Sequence, residues 1–537
     1  MTDNNKNAAR NSDSKVSQDS SEPRRRGRQA RMAVRAAPLA DHIRPVRGGM
    51  ASGRYKPLTE LDVARIHGAV LTALEEIGLA QAIPSCIEAC TARGAIYGDD
   101  GRLRFPRALV EDTIAGAARN ITLCAQSEEH DLHLSGARTY FGTAGAAVHM
   151  VDIHGRSYRE STLQDLYDAA RIVELMDNIH FFQRPLVARD IEGSLDLDIN
   201  TVYASVSGTR KHVGSSFVFD RNVEATMTML HILAGGEDKW RARPFVSNSN
   251  CFVVPPLKFA EDACAVLETC VHAGMPVLLL SAGQAGATAP AAIAGAVVQA
   301  VAEVLAGLVY VNALSPGHPA IFGTWPFVSD LRTGAMSGGS GEQALLSAAC
   351  AQMARFYDLP GGSAAGMTDS KMPDIQAGYE KGASTVLAGL AGLNMVYESA
   401  GMHASLLGFC LESLIIDNDM LGQSMRCVRG IEVNDETLSL DAMRDVCTSG
   451  PGHYLGHEQT IALMQSEYVY PALGDRTSPK EWDERGKPDI VERAIERKKE
   501  ILAGVFPRHV SGDIDARIRA AVDIKLPREA MSGKSPP

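Results

Sequence analysis

Helical and strand-like patterns alternate along the chain from residue 161 to residue 397, and this alternation constrains the fold more than any other feature. A stretch with helical periodicity such as residues 259–273 is followed by a short apolar stretch such as residues 276–281, for about eight rounds. This rhythm predicts parallel βαβ units. No G-x-G-x-x-G motif follows a predicted strand, so a closed (β/α)8 TIM barrel is favoured over an open doubly wound sheet.

The barrel pattern lies between regions of different composition. Residues 1–55 are polar, then rich in arginine, and are predicted to form a disordered arm; the alternative is an arm that clamps a neighbouring subunit. Residues 56–120 carry helical patterns, residues 121–419 the barrel, and residues 420–537 a helical extension. The predicted fold is therefore a TIM barrel with helical N-terminal and C-terminal extensions.

Charge and cysteine usage limit the partners and the compartment. The net charge is −11 although residues 1–56 are basic, so the body is acidic, which argues against a nucleic-acid partner. Ten scattered cysteines without a C-x-x-C pair fit a reducing cytoplasm. The most apolar run, residues 289–314, contains Gln299 and Glu303 and is interpreted as a buried helix, so no membrane span is expected.

Polar and aromatic residues at predicted strand ends are candidates for the functional site, because the active sites of TIM barrels lie at the carboxyl ends of the strands. The candidates are Tyr140, Phe141, His149, Gln183, His212, Asn248, Asn250, Ser281, Gln284, Trp325, Phe327, Met367, Asp369, Tyr397 and Glu398. Neither a G-x-S-x-G nucleophile elbow nor a P-loop occurs.

Two groupings raise the question of a metal ion. His149 and Asp152 are close in sequence, but a lone strand histidine is more often a hydrogen-bonded core residue. His453 and His457 are four residues apart, yet the stretch opens with Gly-Pro-Gly and lacks the H-E-x-x-H order. No metal site is predicted.

A run of small residues, 361–366, leads into a polar loop and then a long helix. Small residues allow the backbone to approach a neighbour closely or to turn sharply. Asp374 is a suitable N-cap for the helix that follows. A tight turn without a ligand is the plain alternative at this point.

Several motifs in combination resemble those of the trimethylamine:corrinoid methyltransferase family. The resemblance extends from about Arg24 to Lys525 and includes YFGT at 140–143, SAGQAGATAP at 281–290, DLRTG at 330–334, TDSKMPDIQAGYEK at 368–381, IDND at 416–419 and GHYLGHE at 452–458. It implies a TIM barrel and the transfer of a methyl group from a methylated amine to the Co(I) of a separate corrinoid protein. It also implies that this chain binds no cofactor directly; a homo-oligomer is expected.

Met367 occupies the position at which archaeal members of that family carry pyrrolysine, between Gly366 and the Thr-Asp-Ser-Lys run. Methionine has no electrophilic imine, so the chain resembles the pyrrolysine-free branch, whose characterised members demethylate quaternary amines such as glycine betaine. A quaternary nitrogen leaves as a neutral tertiary amine, so no catalytic residue is required. Trimethylamine or a sulfonium compound is an alternative substrate, and a non-catalytic amine-binding protein or a metal-dependent lyase is an alternative function.

The expected substrate-binding residues follow from this resemblance and from the strand ends. A cage for the cation is predicted from Tyr140, Phe141, Trp325 and Phe327, because aromatic faces attract quaternary ammonium ions. Donors for a betaine carboxylate are predicted at His149, His212 and Asn250. Gln183, Asp369 and Tyr397 complete the predicted site, while a Trp325 that is merely buried is the alternative for that residue.

Overall fold

Eight parallel strands at the centre of the molecule form the predicted barrel. The computed structural model describes residues 43–532. The strands are β1 (Arg138–Phe141), β2 (Phe181–Gln183), β3 (His212–Ser215), β4 (Val246–Asn250), β5 (Val277–Ser281), β6 (Ala320–Thr324), β7 (Gly361–Ala364) and β8 (Met395–Tyr397). They pair in the order β1-β8-β7-β6-β5-β4-β3-β2, and a parallel bridge between Gly142 and Phe181 joins the two ends. The predicted barrel is confirmed.

One long helix follows each barrel strand and packs on the outside of the sheet. The helices are α1 (Leu163–Glu174), α2 (Ser194–Gly208), α3 (Asp220–Ala234), α4 (Glu261–His272), α5 (Ile293–Leu314), α6 (Gly341–Phe356), α7 (Ile375–Ala391) and α8 (Leu411–Arg429). Asp374 caps α7, because its Oδ1 accepts a hydrogen bond of 3.0 Å from the amide of Ala377. The N-cap predicted from the sequence is confirmed.

Helix α5 is long and apolar enough to cross a membrane by length and composition alone. In this fold it packs against barrel strands β5 and β6, and 72% of its apolar window is buried. Its Glu303 accepts a hydrogen bond of 2.5 Å from Ser281 Oγ at the end of β5. The interpretation of this run as a buried helix is therefore confirmed.

The register of the strands fixes which side chains point into the barrel. Phe181 pairs with His212 and Gln183 with Gly214, so these four residues share the inner face. Gly142 must be glycine because a Cβ there would lie 2.4 Å from the ring of Phe181. Phe141 lies on the opposite face, where its Cζ would lie 3.4 Å from a Cβ on Gly389 of α7.

Short elements close the amino end of the barrel. Strands Ile121–Leu123 and Leu132–Leu134 form a hairpin there. The preceding helices, Glu60–Thr72, Pro84–Thr91 and Arg107–Gly116, pack against α5 on the outside of the barrel. Between them lie the π-helical turn Ala73–Ile77 and strands Leu79–Ala80, Ile96–Tyr97 and Arg102–Arg104. Within the predicted arm, residues 1–42 lie outside the described part of the chain. Residues 50–51 of that arm form a strand that pairs antiparallel with β1.

Two small sheets lie at the carboxyl end of the barrel, because their strands belong to the loops that follow β1, β5, β6 and β8. One consists of His149–Asp152, Ser157–Glu160, Met402–His403 and Gly408–Phe409, and the other of Gln284–Ala285, Phe327–Ser329 and Met336–Ser337. These sheets shape the end of the barrel at which the site is expected.

The C-terminal extension packs on α8, and residue 419 itself lies inside that helix. Its helices are Leu440–Arg444, the π-helical turn Asp445–Ser449, Glu458–Leu463, Pro479–Glu484, Ile490–Gly504, Gly512–Ala521 and Arg528–Ser532. Asp419 holds the extension to the barrel, since its carboxylate accepts hydrogen bonds of 2.7–2.9 Å from three successive amides, those of Ala472, Leu473 and Gly474.

Candidate active site

A row of four aromatic rings runs inside the barrel, from Phe181 at the first position of β2 to Phe327 beyond the end of β6. The ring centroids of Phe181 and Tyr397 are 5.0 Å apart, those of Tyr397 and Trp325 are 5.2 Å apart, and those of Trp325 and Phe327 are 6.5 Å apart. Three of these residues belong to the predicted site, and the structure brings them together. Sequence reasoning missed Phe181, because two adjacent phenylalanines do not reveal which one faces inward.

The small residues of β7 make room for this row. A Cβ on Gly362 would lie 2.9 Å from Cε2 of Tyr397, so the ring needs a residue without a side chain beneath it. The close approach predicted for residues 361–366 is thus, at Gly362, the approach of the Tyr397 ring from the neighbouring strand β8. Trp325 is only 5% exposed, and its Nε1 has no hydrogen-bond partner among the described residues.

Glu398 follows Tyr397 directly and carries the most unusual carboxyl group at this end of the barrel. Its side chain is 1% exposed, and within residues 43–532 its Oε2 has no hydrogen-bond partner. Burial raises the pKa of the carboxyl to about 8. Its backbone has φ +60°, in the left-handed region, which is costly for a residue with a side chain and clusters at functional sites. A cation beside Glu398 would stabilise the ionised form.

Met367 and Gln183 lie in the same part of the barrel. Gln183 points inward from the last residue of β2, where a Cβ on Gly214 would overlap its Oε1. Met367 is fully buried in the loop after β7. It packs against Gly338, where an added Cβ would lie 3.2 Å from the Met367 Sδ. Its thioether offers shape and polarisability and no electrophile.

Asp369 joins three loops through its carboxylate. Its Oδ2 accepts a hydrogen bond of 2.6 Å from Ser337 Oγ, and its Oδ1 accepts bonds of 2.7 Å from the amide of Gly338 and from Ser405 Oγ. Glu380 in α7 also holds this loop, because its Oε2 accepts hydrogen bonds from Thr368 Oγ1 and from the amide of Asp369. The predicted substrate contact is replaced by a structural role, because protein donors occupy both oxygens.

Two predicted contacts lie at the wrong end of the barrel. His212 begins β3, and its Nδ1 and Nε2 are hydrogen-bonded to the Cys124 carbonyl (2.6 Å) and to Ser247 Oγ (2.9 Å). Burial lowers its pKa to about 4. The hydroxyl oxygen of Tyr140 accepts a bond from the amide of His133 in the hairpin at the amino end. Both residues are core residues of that end and are withdrawn from the site.

Two further predicted contacts face the helices. Phe141 packs towards α7 and α8 on the outer face of β1, near Gly389. Asn250 donates a hydrogen bond of 3.0 Å from Nδ2 to the carbonyl of Ala263 in α4. Phe141 and Asn250 therefore do not point into the barrel, because a residue at a strand end can face outward as readily as inward.

His149 is half-buried in a strand of the four-stranded sheet, where its ring contacts that of Tyr158 at 6.2 Å. Asp152 lies three residues further along the same strand, on its opposite face. No group of three or more His, Cys, Asp or Glu side chains suited to a metal ion occurs within the described range 43–532. His457 instead caps a helix by accepting the amide hydrogen of Gln459 at Nδ1.

Adjoining aromatic faces and a buried carboxyl group, whose Oε2 lacks a hydrogen-bond partner in the described part of the chain, define a TIM-barrel protein whose site suits an organic cation. Comparison with known families agrees with this class, since the trimethylamine methyltransferase (MTTB) family model matches residues 24–528. The chain belongs to the trimethylamine methyltransferase family.

Its relatives fall into two substrate groups. Trimethylamine methyltransferase MttB of Desulfitobacterium hafniense (strain DSM 10664 / DCB-2) is 32% identical and covers 85% of this chain and 91% of its own length. Glycine betaine methyltransferase of Desulfitobacterium hafniense (strain Y51) is 31% identical and covers 88% and 98%. Trimethylamine methyltransferase MttB1 of Methanosarcina mazei is 30% identical and covers 86% and 93%. These nearly equal identities do not distinguish trimethylamine from glycine betaine as the substrate. The distinction must come from the residues of the site.

Proposed function

We propose that this chain moves a methyl group from a quaternary amine, such as glycine betaine, to the cobalt of a separate corrinoid protein. The observation that carries the proposal is the row of aromatic rings through Phe181, Tyr397 and Trp325, together with the buried carboxyl group of Glu398, which follows Tyr397 in the chain and whose Oε2 has no hydrogen-bond partner among the described residues. A quaternary ammonium ion keeps its charge at every pH and spreads it over its methyl groups, so it gains from dispersion, cation–π attraction and a nearby carboxylate together.

The corrinoid would supply a Co(I) nucleophile that takes the methyl carbon. The electron pair of the broken carbon–nitrogen bond stays on nitrogen, which leaves as a neutral tertiary amine and needs no proton. The residues of this chain therefore act by position and electrostatics alone. Phe181, Tyr397 and Trp325 would hold the methyl groups, while Glu398 would balance the positive charge of the bound substrate.

Met367 supports a quaternary substrate over trimethylamine. Its side chain is fully buried and carries no group that forms a covalent adduct with an amine. A substrate that is already a permanent cation needs no such adduct. Gln183, at the end of β2, and Trp325 Nε1, which lacks a partner among the described residues, are available as donors to a substrate carboxylate. The ten free cysteines fit a reducing cytoplasm as the compartment.

The test combines the purified chain, a reduced corrinoid protein and a panel of methylated compounds. The panel contains glycine betaine, choline, carnitine, tetramethylammonium, trimethylamine and dimethylsulfoniopropionate, and methyl transfer is followed by the absorbance of the corrinoid. Quaternary compounds are expected to react and trimethylamine to fail. Equal turnover of trimethylamine would contradict the proposed substrate, and binding of a quaternary amine without transfer would favour a non-catalytic binding protein.

A Met367→Leu variant is the matched control for the role of that position. Leucine keeps the volume and removes the sulfur, so transfer is expected to stay within about threefold of the parent because such volume-conserving exchanges are well tolerated. A loss of more than a hundredfold with an unchanged melting temperature would show that the thioether takes part in the reaction.

A further inference from the structure

An arginine at the carboxyl end of β2 carries a charge that no ion pair in the described chain balances. Arg184 follows the inward-pointing Gln183, and its amide donates a hydrogen bond of 2.9 Å to the carbonyl of Gly214 in β3. Pro185 comes next and restricts the backbone of Arg184 to an extended conformation. The root of this side chain is therefore fixed at the rim of the barrel, in the strand that begins with the ring of Phe181.

The guanidinium of Arg184 makes neither a hydrogen bond nor an ion pair among the described residues. Its Nε is buried without an acceptor, and no carboxylate of residues 43–532 lies within ion-pair distance. The charge of Asp198 in α2 acts on Arg184, but that carboxylate already accepts hydrogen bonds from the amide of Val218 (2.8 Å) and from Asn222 Nδ2 (2.7 Å). The positive charge of Arg184 is thus available to a ligand.

Arg184 is surrounded by protein and yet accessible. Burial lowers the pKa of its guanidinium, while part of the side chain keeps its contact with solvent. A group that is both surrounded and accessible lines a cavity. The carboxyl end of the barrel, where Arg184 lies, is the end at which TIM barrels hold their ligands.

Arg184 and Glu398 carry opposite charges at this end of the barrel and do not pair with each other. The rings of Phe181 and Tyr397, which precede them in the chain, have centroids 5.0 Å apart, so β2 and β8 line the same part of the barrel. In the part of the chain that the structure describes, burial is what shifts the pKa of Glu398, so Arg184 does not neutralise that carboxyl group. Two separate opposite charges complement a zwitterion, whose cation faces Glu398 and whose anion faces Arg184.

We propose that Arg184 binds the carboxylate of the substrate, so that the site selects quaternary amines that carry a carboxylate, the betaines, over quaternary amines that lack one. This inference rests on the proposed function and narrows its substrate class. The planar donors of a guanidinium match the two oxygens of a carboxylate, and the bound carboxylate supplies the counter-charge that a buried guanidinium needs. Choline and tetramethylammonium have no group that supplies it.

Isothermal titration calorimetry at pH 9, where Glu398 is ionised, compares glycine betaine with choline. The wild type should bind glycine betaine at least about tenfold more tightly than choline. Arg184→Met should weaken glycine betaine binding about 10- to 150-fold, the range expected for lost hydrogen bonds to a charged group, and leave choline binding unchanged. Arg189→Met is the matched control: Arg189 lies in the same loop and pairs with Glu160 at 3.0 Å, so its variant should bind both compounds like the wild type.

The melting temperature separates a binding role of Arg184 from a structural one. Because the substitution removes a buried charge that no described carboxylate balances, ligand-free Arg184→Met should melt at or above the temperature of the wild type. Glycine betaine should raise the melting temperature of the wild type and not that of the variant. A variant that melts earlier without ligand and loses both compounds equally would show a structural role and overturn the inference.

Binding and methyl transfer are measured separately, so the two proposals can fail independently. Equal wild-type affinities for glycine betaine and choline, or an Arg184→Met variant that binds glycine betaine like the wild type, would overturn the role of Arg184 and leave the proposed methyl transfer intact. A preference for glycine betaine that Arg184→Met abolishes, in a wild type that transfers no methyl group to a corrinoid protein, would support Arg184 and contradict the proposed reaction.

Discussion

Glu398→Gln isolates the charge of the buried carboxyl group while keeping its shape. Within residues 43–532 no hydrogen bond reaches Oε2 of this carboxyl, so its interaction with a bound quaternary nitrogen is close to that of an unshielded pair of charges. At a separation of about 5 Å and an effective dielectric constant of about 20, this attraction is worth about 3 kcal/mol. The affinity of the variant for tetramethylammonium or glycine betaine at pH 9 should therefore fall roughly 30- to 150-fold.

The protonation state of Glu398 determines how substrate affinity should change with pH. Because burial raises the pKa of Glu398 to about 8, the wild-type carboxyl is protonated at pH 6 and ionised at pH 9. Wild-type affinity should rise with pH and level off above about pH 8, whereas the affinity of Glu398→Gln should be flat and match the wild type near pH 6. Isothermal titration calorimetry from pH 6 to pH 9 measures both curves. Equal affinities at pH 9, or a wild-type affinity independent of pH, would refute the assignment.

Folding stability provides a readout of Glu398 that needs no ligand. The folded protein holds the proton of Glu398 more tightly than the unfolded chain does, so wild-type stability should fall as pH rises from about 4.5 towards about 8. Glu398→Gln should escape this loss and gain melting temperature relative to the wild type between pH 6 and pH 9. Glu303→Gln is a comparison variant: burial raises the pKa of Glu303 as well, but Ser281 and the amide of Leu257 donate to this carboxylate, so its variant should gain less melting temperature than Glu398→Gln over the same pH range.

Three further substitutions separate binding from structure. Trp325→Leu should lower quaternary-amine affinity roughly 5- to 30-fold and also lower the melting temperature, because the ring is both a cation-binding face and a buried surface; unchanged affinity would make the ring purely structural. His212→Leu should cost about 1–3 kcal/mol of unfolding free energy in denaturant titrations, by leaving Ser247 and the Cys124 carbonyl unpaired, with substrate affinity intact in the folded fraction. Asp369→Ala should raise proteolytic sensitivity around residues 337 and 405, and an unchanged digestion pattern would contradict its role in joining the loops.

The sequence predicts the barrel well because alternation of helix and strand survives errors of a few residues at each boundary. It predicts the site less well because barrel strands are buried on both faces and read as continuous apolar runs. Tyr140 and Phe141 are adjacent aromatic residues, and only the register shows that one faces inward and the other faces α7. The sequence also does not show which end of a short strand a residue occupies. His212, which lies at the start of β3, is an example.

The acidic residues near the strand ends show a second limit of prediction from the sequence. Asp369 and Glu398 are both acidic residues near strand ends, and composition alone does not distinguish them. Protein donors occupy both oxygens of Asp369, whereas Oε2 of Glu398 has none among the described residues. This difference depends on loops that are distant in sequence, so it appears only when the chain is folded.

The carboxylate of Asp369 ties the loops after β6, β7 and β8 into one rigid rim. Ser337, Asp369 and Ser405 lie on three different loops, yet their hydrogen bonds meet at two oxygens. These loops lose their conformational entropy when the chain folds. Substrate binding therefore does not have to order them again. Three of the eight loops at this end of the barrel therefore have a fixed shape before any encounter, and a corrinoid protein that docks as proposed would meet a preformed surface on that side of the barrel.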